Sequence, residues 1–257
     1  NFLMKAIECY PKIYTEITTF EKIKNKILEL INPLNYDQNI QIKKLSIYCI
    51  YNIYETSNLP ETINSSRFIF IDILFKDLKI HEDMDLLNYE FNALFVLIIS
   101  KNFDELMKIL NELNTQINYF KNKDLDYKIK IFIFEQLIIL VNTSIINLSQ
   151  IVEYSNLHEN TIVFLKEFYQ KIFYLKDAYP ELLGDVLVNF KFFYSLFKIE
   201  LFYEFENNIE KYLINFINNS SDHYYISIAL EVYSQLILST PSNIIYNKIK
   251  DLVDFLF

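Results

Sequence analysis

Residues 129–148 read IKIFIFEQLIILVNTSIINL, and this stretch decides the fold class. Its length and apolar character allow three interpretations: a membrane span, a buried strand, or a helix surrounded by other helices. Lys130 and Glu135 interrupt the apolar run. Because a charged side chain is costly inside a bilayer, these residues argue against a membrane span. A strand is disfavoured because the run is too long for one and contains no glycine or proline.

On a helix, the same stretch presents a broad apolar face. This face is wider than the stripe of an ordinary surface helix, which indicates packing on more than one side. The polar triplet Asn142-Thr143-Ser144 is predicted to separate this helix from the next and to cap the next one. We therefore expect the inner helix of a stacked helical array. The apolar face comprises Ile133, Phe134, Leu137, Ile138 and Val141.

The scarcity of glycine supports an all-α fold. Gly184 is the only glycine among 257 residues. Sheet-rich folds need glycine in hairpin turns and bulges, whereas helical arrays can turn on Asn, Asp and Ser. A single glycine also excludes a P-loop, the G-x-G-x-x-G dinucleotide fingerprint, a kinase glycine loop and the G-x-S-x-G nucleophile elbow.

Apolar residues recur at helical spacing along almost the whole chain, and short polar links separate the runs. Asn102 and Glu105 have the spacing of a capping box, and Pro180 suits the first turn of a helix. About a dozen helices are predicted. They cover 12–32, 39–56, a run beginning after Ser65 or Ser66, 81–100, 103–120, the stretch from 129, 144–156, 158–177, 180–204, 205–218, 223–239 and 243–256.

Helix pairs recur at roughly 40 residues, a spacing typical of HEAT and armadillo arrays. In this pattern the chain resembles the HEAT/armadillo-like superhelical class over most of its length, although no family motif is present. The resemblance implies a right-handed α-solenoid of antiparallel helices, with residues 1–257 forming a single repeat domain. A compact helical bundle is the alternative. Because the first residue is Asn1, we expect the chain to be a piece of a longer protein.

The net charge and the cysteines limit which kinds of partner and which cellular compartment are expected. The net charge is −9, and lysines alternate with acidic residues instead of clustering. Direct nucleic-acid binding is therefore disfavoured, and a partner with a basic or lysine-rich segment is favoured. Cys9 and Cys49 lie forty residues apart and form no disulfide framework or zinc-binding spacing. We expect reduced thiols in an intracellular protein of the nucleus or cytoplasm.

No catalytic, cofactor or metal site is predicted. The histidines lie at predicted helix starts beside acidic residues, and none extends to H-E-x-x-H. The acidic group of Glu82, Asp83 and Asp85 is interpreted as a solvated first helical turn. No Ser or Cys has a recognisable partner base, so we expect no enzymatic activity. The three histidines are His81, His158 and His223.

Aromatic runs offer a possible partner surface. The densest is FKFFYSLFKIELFYEF at 190–205, and SDHYYISIALEVYSQLIL at 221–238 is a weaker one. Most of these side chains are expected in the core, but aromatic residues are also enriched at binding hot spots. The candidate partner-binding residues are Tyr194, Phe197, Tyr203, Tyr224, Tyr225 and Tyr233.

These observations predict a non-enzymatic protein–protein interaction scaffold, a helical-repeat segment or subunit of a larger intracellular complex, with nuclear and chromosome-associated complexes among the candidates. The resemblance also implies two alternative functions. One is a karyopherin-like transport receptor that binds basic signals, and the other is a vesicle-coat or trafficking solenoid. A helical enzyme or a lipid-binding bundle is a further alternative, which a closed cavity with convergent polar groups would support. No cofactor is predicted.

Overall fold

A computed structural model of the protein describes residues 17–32, 40–55, 59, 61–153, 156–197 and 206–239. All regular elements among these residues are helical, and no strand occurs there, which confirms the predicted all-α class. Within the same residues, ten helices run for 11 residues or more and two consist of four residues each.

Most helices follow the predicted runs, except that the stretch from 129 and most of the predicted helix 144–156 form one helix. The predicted helix at 243–256 lies outside the described residues. In chain order the helices are α1 (Ile17–Ile31), α2 (Ile40–Glu55), α3 (Glu61–Asn64), α4 (Arg67–Asp77), α5 (Met84–Leu97), α6 (Phe103–Asn122), α7 (Tyr127–Ile151), α8 (Glu159–Phe173), α9 (Leu175–Ala178), α10 (Leu183–Phe197), α11 (Glu206–Asn219) and α12 (His223–Ser239). A 3₁₀ turn, Pro180–Leu182, places Pro180 in its first turn, as predicted.

The chain divides into two compact units. The first unit comprises the described residues within Asn1–Ser100 and Asn111–Gln136, and the second comprises those within Lys101–Leu110 and Leu137–Phe257. In the first unit α2 packs against α1 and α5, and α4 packs against α5. In the second unit α12 packs against α10 and α11, and α10 packs against α8.

Local capping sets the start of two helices in the first half of the chain. Asp83 caps α5, because its Oδ1 accepts a hydrogen bond of 2.7 Å from the Leu86 N–H, so the helix begins later than the predicted run at 81. Asn102 caps α6 as predicted, accepting a hydrogen bond of 3.1 Å from the Glu105 N–H. Ser66 precedes α4 but makes no capping hydrogen bond with its side chain.

The stretch that opened the sequence analysis forms α7, and its five predicted apolar-face residues are all buried. The helix is long and apolar enough to cross a membrane, and half of its most apolar 18-residue window is buried inside the protein. The expectation that it does not span a membrane therefore stays a prediction. Lys130 donates hydrogen bonds to the carbonyl oxygens of Lys121 and Lys123, at the C-terminal end of α6.

The prediction that Asn142-Thr143-Ser144 separates two helices was wrong, because α7 continues through this triplet. Thr143 Oγ1 and Ser144 Oγ donate to the carbonyl oxygens of Ile139 and Leu140, one turn earlier in the same helix. The buried Asn142 side chain accepts a hydrogen bond of 2.6 Å from Asn189 of α10. Each polar group thus finds an acceptor or a donor without ending the helix.

Candidate functional site

A cluster of charged and polar side chains, largely buried, lies where α2, α4 and α5 meet in the first unit. Lys43 comes from α2, Asp77 is the last residue of α4, His81 lies in the link that follows, and Glu90 belongs to α5. We call these four residues the polar cluster. The side chains of Asp77 and Glu90 are 1% and 0% exposed, and those of Lys43 and His81 are each 17% exposed.

The groups of the polar cluster are within direct contact of one another. Lys43 Nζ donates to Asp77 Oδ1 at 2.6 Å and also lies 2.5 Å from Oδ2. His81 Nε2 lies 3.0 Å and 3.1 Å from the two carboxyl oxygens of Glu90, and 3.8 Å from Asp77 Oδ2. One ligand atom each of Asp77, His81 and Glu90 can be chosen so that all three lie within 4.8 Å of one another.

Burial determines which of these groups carries a charge. Burial raises the pKa of Glu90 well above its usual range, and hydrogen bonding to Asp77 raises it further. Burial also lowers the pKa of His81, an effect that the Asp77 carboxylate opposes. Burial thus favours the protonated form of Glu90 and the neutral form of His81, and the ion pair of the cluster is Lys43 with Asp77.

The two buried carboxyl groups of the cluster, Asp77 and Glu90, are neighbours. Asp77 Oδ2 contacts the Lys43 ammonium group at 2.5 Å and makes no further hydrogen bond with a described residue. Two adjacent buried carboxyl groups favour sharing one proton, and a hydrogen bond between Glu90 and Asp77 is consistent with the raised pKa of Glu90. The arrangement can hold a proton or another small cation between its oxygen atoms.

A second feature of the first unit is an open groove lined by α2 and α5, with a volume of about 650 Å³. Tyrosine side chains dominate it, and asparagines and one carboxylate complete the lining. We call this feature the tyrosine groove. Its lining residues are Tyr48, Tyr51, Asp85, Asn88, Tyr89 and Asn92.

The rings of the tyrosine groove form a corner. Tyr48 and Tyr89 are nearly perpendicular, at 88°, with ring centroids 6.4 Å apart. Tyr51 lies parallel to Tyr48 one helical turn away, with centroids 6.1 Å apart, and its hydroxyl donates to Glu55 at 2.6 Å. The Asp85 side chain is 86% exposed, so the groove combines aromatic faces with an accessible negative charge.

Lys44 is the cation nearest to this carboxylate among the described residues. Its Nζ lies 3.4 Å from Asp85 Oδ2 and 3.3 Å from Asp83 Oδ1, and Lys44 itself is only 7% exposed. Asp83 also accepts the Leu86 N–H, which holds the pKa of this carboxyl below its usual range. Lys44 thus contacts two carboxylates, and most of the surface of the Asp85 side chain stays exposed to solvent.

The sequence-predicted partner residues are scattered among different environments. Tyr203 lies outside the described residues, and the side chains of Tyr194 and Phe197 do too, although both residues belong to α10. Tyr224 is 66% exposed and packs its ring 5.3 Å from that of Tyr225, whereas Tyr233 is only 3% exposed. These residues stay candidates.

The acidic group and the histidines have different roles in the structure. Asp83 caps α5, which agrees with its predicted place at the start of a helix. The His81 side chain instead contacts Glu90, with His81 Nε2 3.0 Å from Glu90 Oε1. His158 precedes α8 without a side-chain capping bond, and His223 is the first residue of α12. The capping interpretation thus missed the contacts of His81.

Sequence reasoning identified neither the polar cluster nor the tyrosine groove. One signal was available for the cluster: Asp77 and His81 are four residues apart, which places two potential ligands one helical turn from each other. Tyr48 with Tyr51, and Asp85 with Tyr89, likewise have the spacings of helix neighbours. No pattern indicated that the two helices carrying them would pack together.

No protein-family model, curated protein or solved structure matches this chain.

Proposed function

We propose that the protein is a non-enzymatic interaction scaffold whose tyrosine groove binds a basic segment of a protein partner. The observation that carries this proposal is the perpendicular pair Tyr48 and Tyr89 beside the exposed carboxylate of Asp85. Tyrosine supplies a large and rigid contact surface, which explains its enrichment at binding hot spots.

The rings suit a cationic side chain. An ammonium or guanidinium group is attracted to the face of an aromatic ring within about 6 Å of its centroid. A cation in the corner between Tyr48 and Tyr89 could contact the face of one ring or of both. Asn88 and Asn92 offer amide oxygens to the remaining N–H donors of the same group.

Charge favours the same ligand. Asp85 lines the groove, and Glu55 lies at its rim through the Tyr51 hydroxyl. The whole chain carries a net charge of −9, which attracts a basic segment from a distance. The lysine already near Asp85 is Lys44, whose stem is buried, so an incoming cation meets the exposed side of the carboxylate.

Binding of a lysine-rich peptide, measured by isothermal titration calorimetry at low and at moderate salt, tests this proposal. Tyr89→Ala should weaken binding about tenfold, whereas Tyr89→Phe, which keeps the ring face, should bind like the wild type. Asp85→Asn should weaken binding and reduce its salt dependence.

Two matched variants complete the experiment. Asp104→Asn removes an exposed carboxylate from the first turn of α6 and should leave binding unchanged. Tyr224→Ala tests the partner surface suggested by the sequence, and it too should leave peptide binding unchanged if the tyrosine groove is the site. A loss of binding in Tyr224→Ala with no loss in Tyr89→Ala would move the site to α12.

For the architecture, we propose a right-handed α-solenoid of HEAT/armadillo-like type, acting inside the cell as part of a larger assembly. The short links between the described helices support this, as does the packing of α2 on two other helices. Small-angle scattering tests it. A solenoid should have a radius of gyration clearly above the roughly 18 Å of a compact domain of this length, and a compact value would contradict it.

A further inference from the structure

The polar cluster contains three different metal-ligating groups that converge in the interior. Asp77, His81 and Glu90 provide two carboxylates and one imidazole, and their ligand atoms lie within 4.8 Å of one another. Zinc and other first-row divalent ions are bound in proteins by such oxygen and nitrogen donors. This donor set comes from α4, from α5 and from the link between them.

The spacing of the donor atoms fits a single ion. Ligands at bond lengths of about 2.0–2.1 Å in tetrahedral geometry lie about 3.3 Å from each other. The distance from His81 Nε2 to Glu90 Oε1 is 3.0 Å, and that to Asp77 Oδ2 is 3.8 Å. These distances bracket the expected value, so small side-chain adjustments complete the geometry.

The two buried carboxyl groups of the cluster have one lysine between them. The side chains of Asp77 and Glu90 are 1% and 0% exposed, and the Lys43 ammonium group contacts Asp77 alone among these two. Two adjacent carboxylates inside a protein need a compensating cation. Lys43 contacts both oxygen atoms of Asp77 and supplies one positive charge, so a second cation is needed when both carboxyl groups are ionised.

We propose that Asp77 Oδ2, His81 Nε2 and a carboxylate oxygen of Glu90 bind one divalent first-row transition-metal ion, with Zn²⁺ as the preferred species. Lys43 stays hydrogen-bonded to Asp77 Oδ1 and positions that carboxylate. Glu90 binds the ion as a carboxylate, and any proton that it carries passes to solvent. Since His81 is partly exposed, water reaches the site and fills the fourth position.

Metal binding to the full chain, stripped of metal with a chelator and dialysed, tests the proposal. Zn²⁺ is titrated by calorimetry, and Co²⁺ is used as an optical probe because tetrahedral nitrogen and oxygen ligation gives visible absorption bands. His81→Ala should weaken binding by about 100-fold or more, because one of three ligands is lost. His158→Ala and His223→Ala are matched controls that should bind like the wild type.

Two further variants keep the result interpretable. Asp77→Asn retains an acceptor for Lys43 but replaces a carboxylate with a poor ligand, so it should also weaken binding. Lys43→Met removes a positive charge beside the ion and should tighten Zn²⁺ binding about tenfold. Circular dichroism of every variant verifies that the helices are intact.

One-to-one binding that His81→Ala and Asp77→Asn weaken would support the site. Absence of Zn²⁺ and Co²⁺ binding by the stripped wild type would overturn it, as would binding that these variants leave unchanged. The peptide experiment on the tyrosine groove uses different residues, so either proposal can fail without the other.

Discussion

Each of the two units contains a largely buried lysine side chain, but the two ammonium groups are stabilised by different contacts. In the first unit Lys43 contacts the carboxylate of Asp77, which is itself buried. In the second unit Lys176, 3% exposed, has its Nζ 3.8 Å from the ring centroid of Phe173 and 4.1 Å from that of Tyr212. One unit relies on a buried opposite charge, and the other relies mainly on aromatic faces.

This difference predicts which kind of substitution destabilises each unit most. A buried ion pair is strongly destabilised when one partner is removed, because an uncompensated charge remains. Aromatic faces also pack as ordinary apolar surface, so they tolerate a neutral side chain in place of the ammonium group. We expect the first unit to be sensitive to changes of charge and the second to changes of volume.

The largest expected effect is that of Asp77→Ala. This substitution leaves Lys43 without its partner and removes a hydrogen-bond partner of Glu90, so it should lower the free energy of unfolding by about 3 kcal/mol. Asp177→Ala is the matched change in the second unit. Its side chain is 55% exposed, so loss of its 2.9 Å pair with Lys176 should cost less than about 1 kcal/mol. Urea unfolding measures both, and similar costs would contradict the comparison.

A change of volume in the second unit should have the next largest effect. A Cβ atom at Gly184 would lie 2.4–2.8 Å from three ring atoms of Tyr225. Gly184→Ala should therefore destabilise the protein by about 1–2 kcal/mol, despite the better helix propensity of alanine. In the Tyr225→Ala background the same change should become neutral or stabilising, which a double-mutant cycle detects. An equal cost in both backgrounds would exclude the steric explanation.

Removing the lysine charge of the second unit should matter less. Lys176→Met keeps an apolar stem against Phe173 and Tyr212, and it loses cation–π attraction while avoiding the desolvation of an ammonium group. We expect a change of less than about 1 kcal/mol in the free energy of unfolding. A loss comparable to that of Asp77→Ala would show that both units depend on compensated charge.

The smallest expected effect is a dependence on pH at Asp185 in α10. Burial raises the pKa of this carboxyl above its usual value, and a hydrogen bond from its own backbone N–H partly opposes the shift. Because the folded pKa is raised, the stabilising contribution is complete below the unfolded pKa of about 3.9 and is lost as pH rises through the folded value.

Asp185→Asn, followed by thermal unfolding, measures this effect. The variant should be slightly more stable than the wild type at pH 7, and its advantage should shrink as the pH approaches 4. Asp104→Asn, at an exposed carboxylate, is the control and should show no such trend. An advantage of Asp185→Asn that is constant with pH would contradict the assigned cause.

Much of the fold was predictable because its causes are local. Glycine scarcity and helical spacing identified an all-α chain, and the cap at Asn102 and the first-turn position of Pro180 occur where expected. Helical spacing also relates Phe95 to the buried Phe91, yet Phe95 is 41% exposed. Spacing alone does not show how far an apolar stripe extends around a helix before it reaches solvent.

The candidate sites were not predictable in the same way. Lys43 and Glu90 belong to helices separated along the chain by α3 and α4, and only the packing of α2 and α5 brings their surroundings together. His81 has acidic neighbours in sequence, which suggested a helix start, but its contact is with Glu90, nine residues away. The local pattern predicts that the Asn142 side chain caps a helix. Its actual hydrogen-bond partner, Asn189, is 47 residues away, so no local pattern could indicate it.

By itself, the sequence determined the helical class, most helix positions and the burial of the apolar face of α7, since backbone hydrogen bonding and apolar periodicity act over one or two turns. Tertiary structure alone decided that a polar triplet continues a helix, that His81 reaches Glu90 and that three tyrosines share a groove. Those outcomes depend on which helices pack together, and contacts between distant residues leave no periodic trace in the chain.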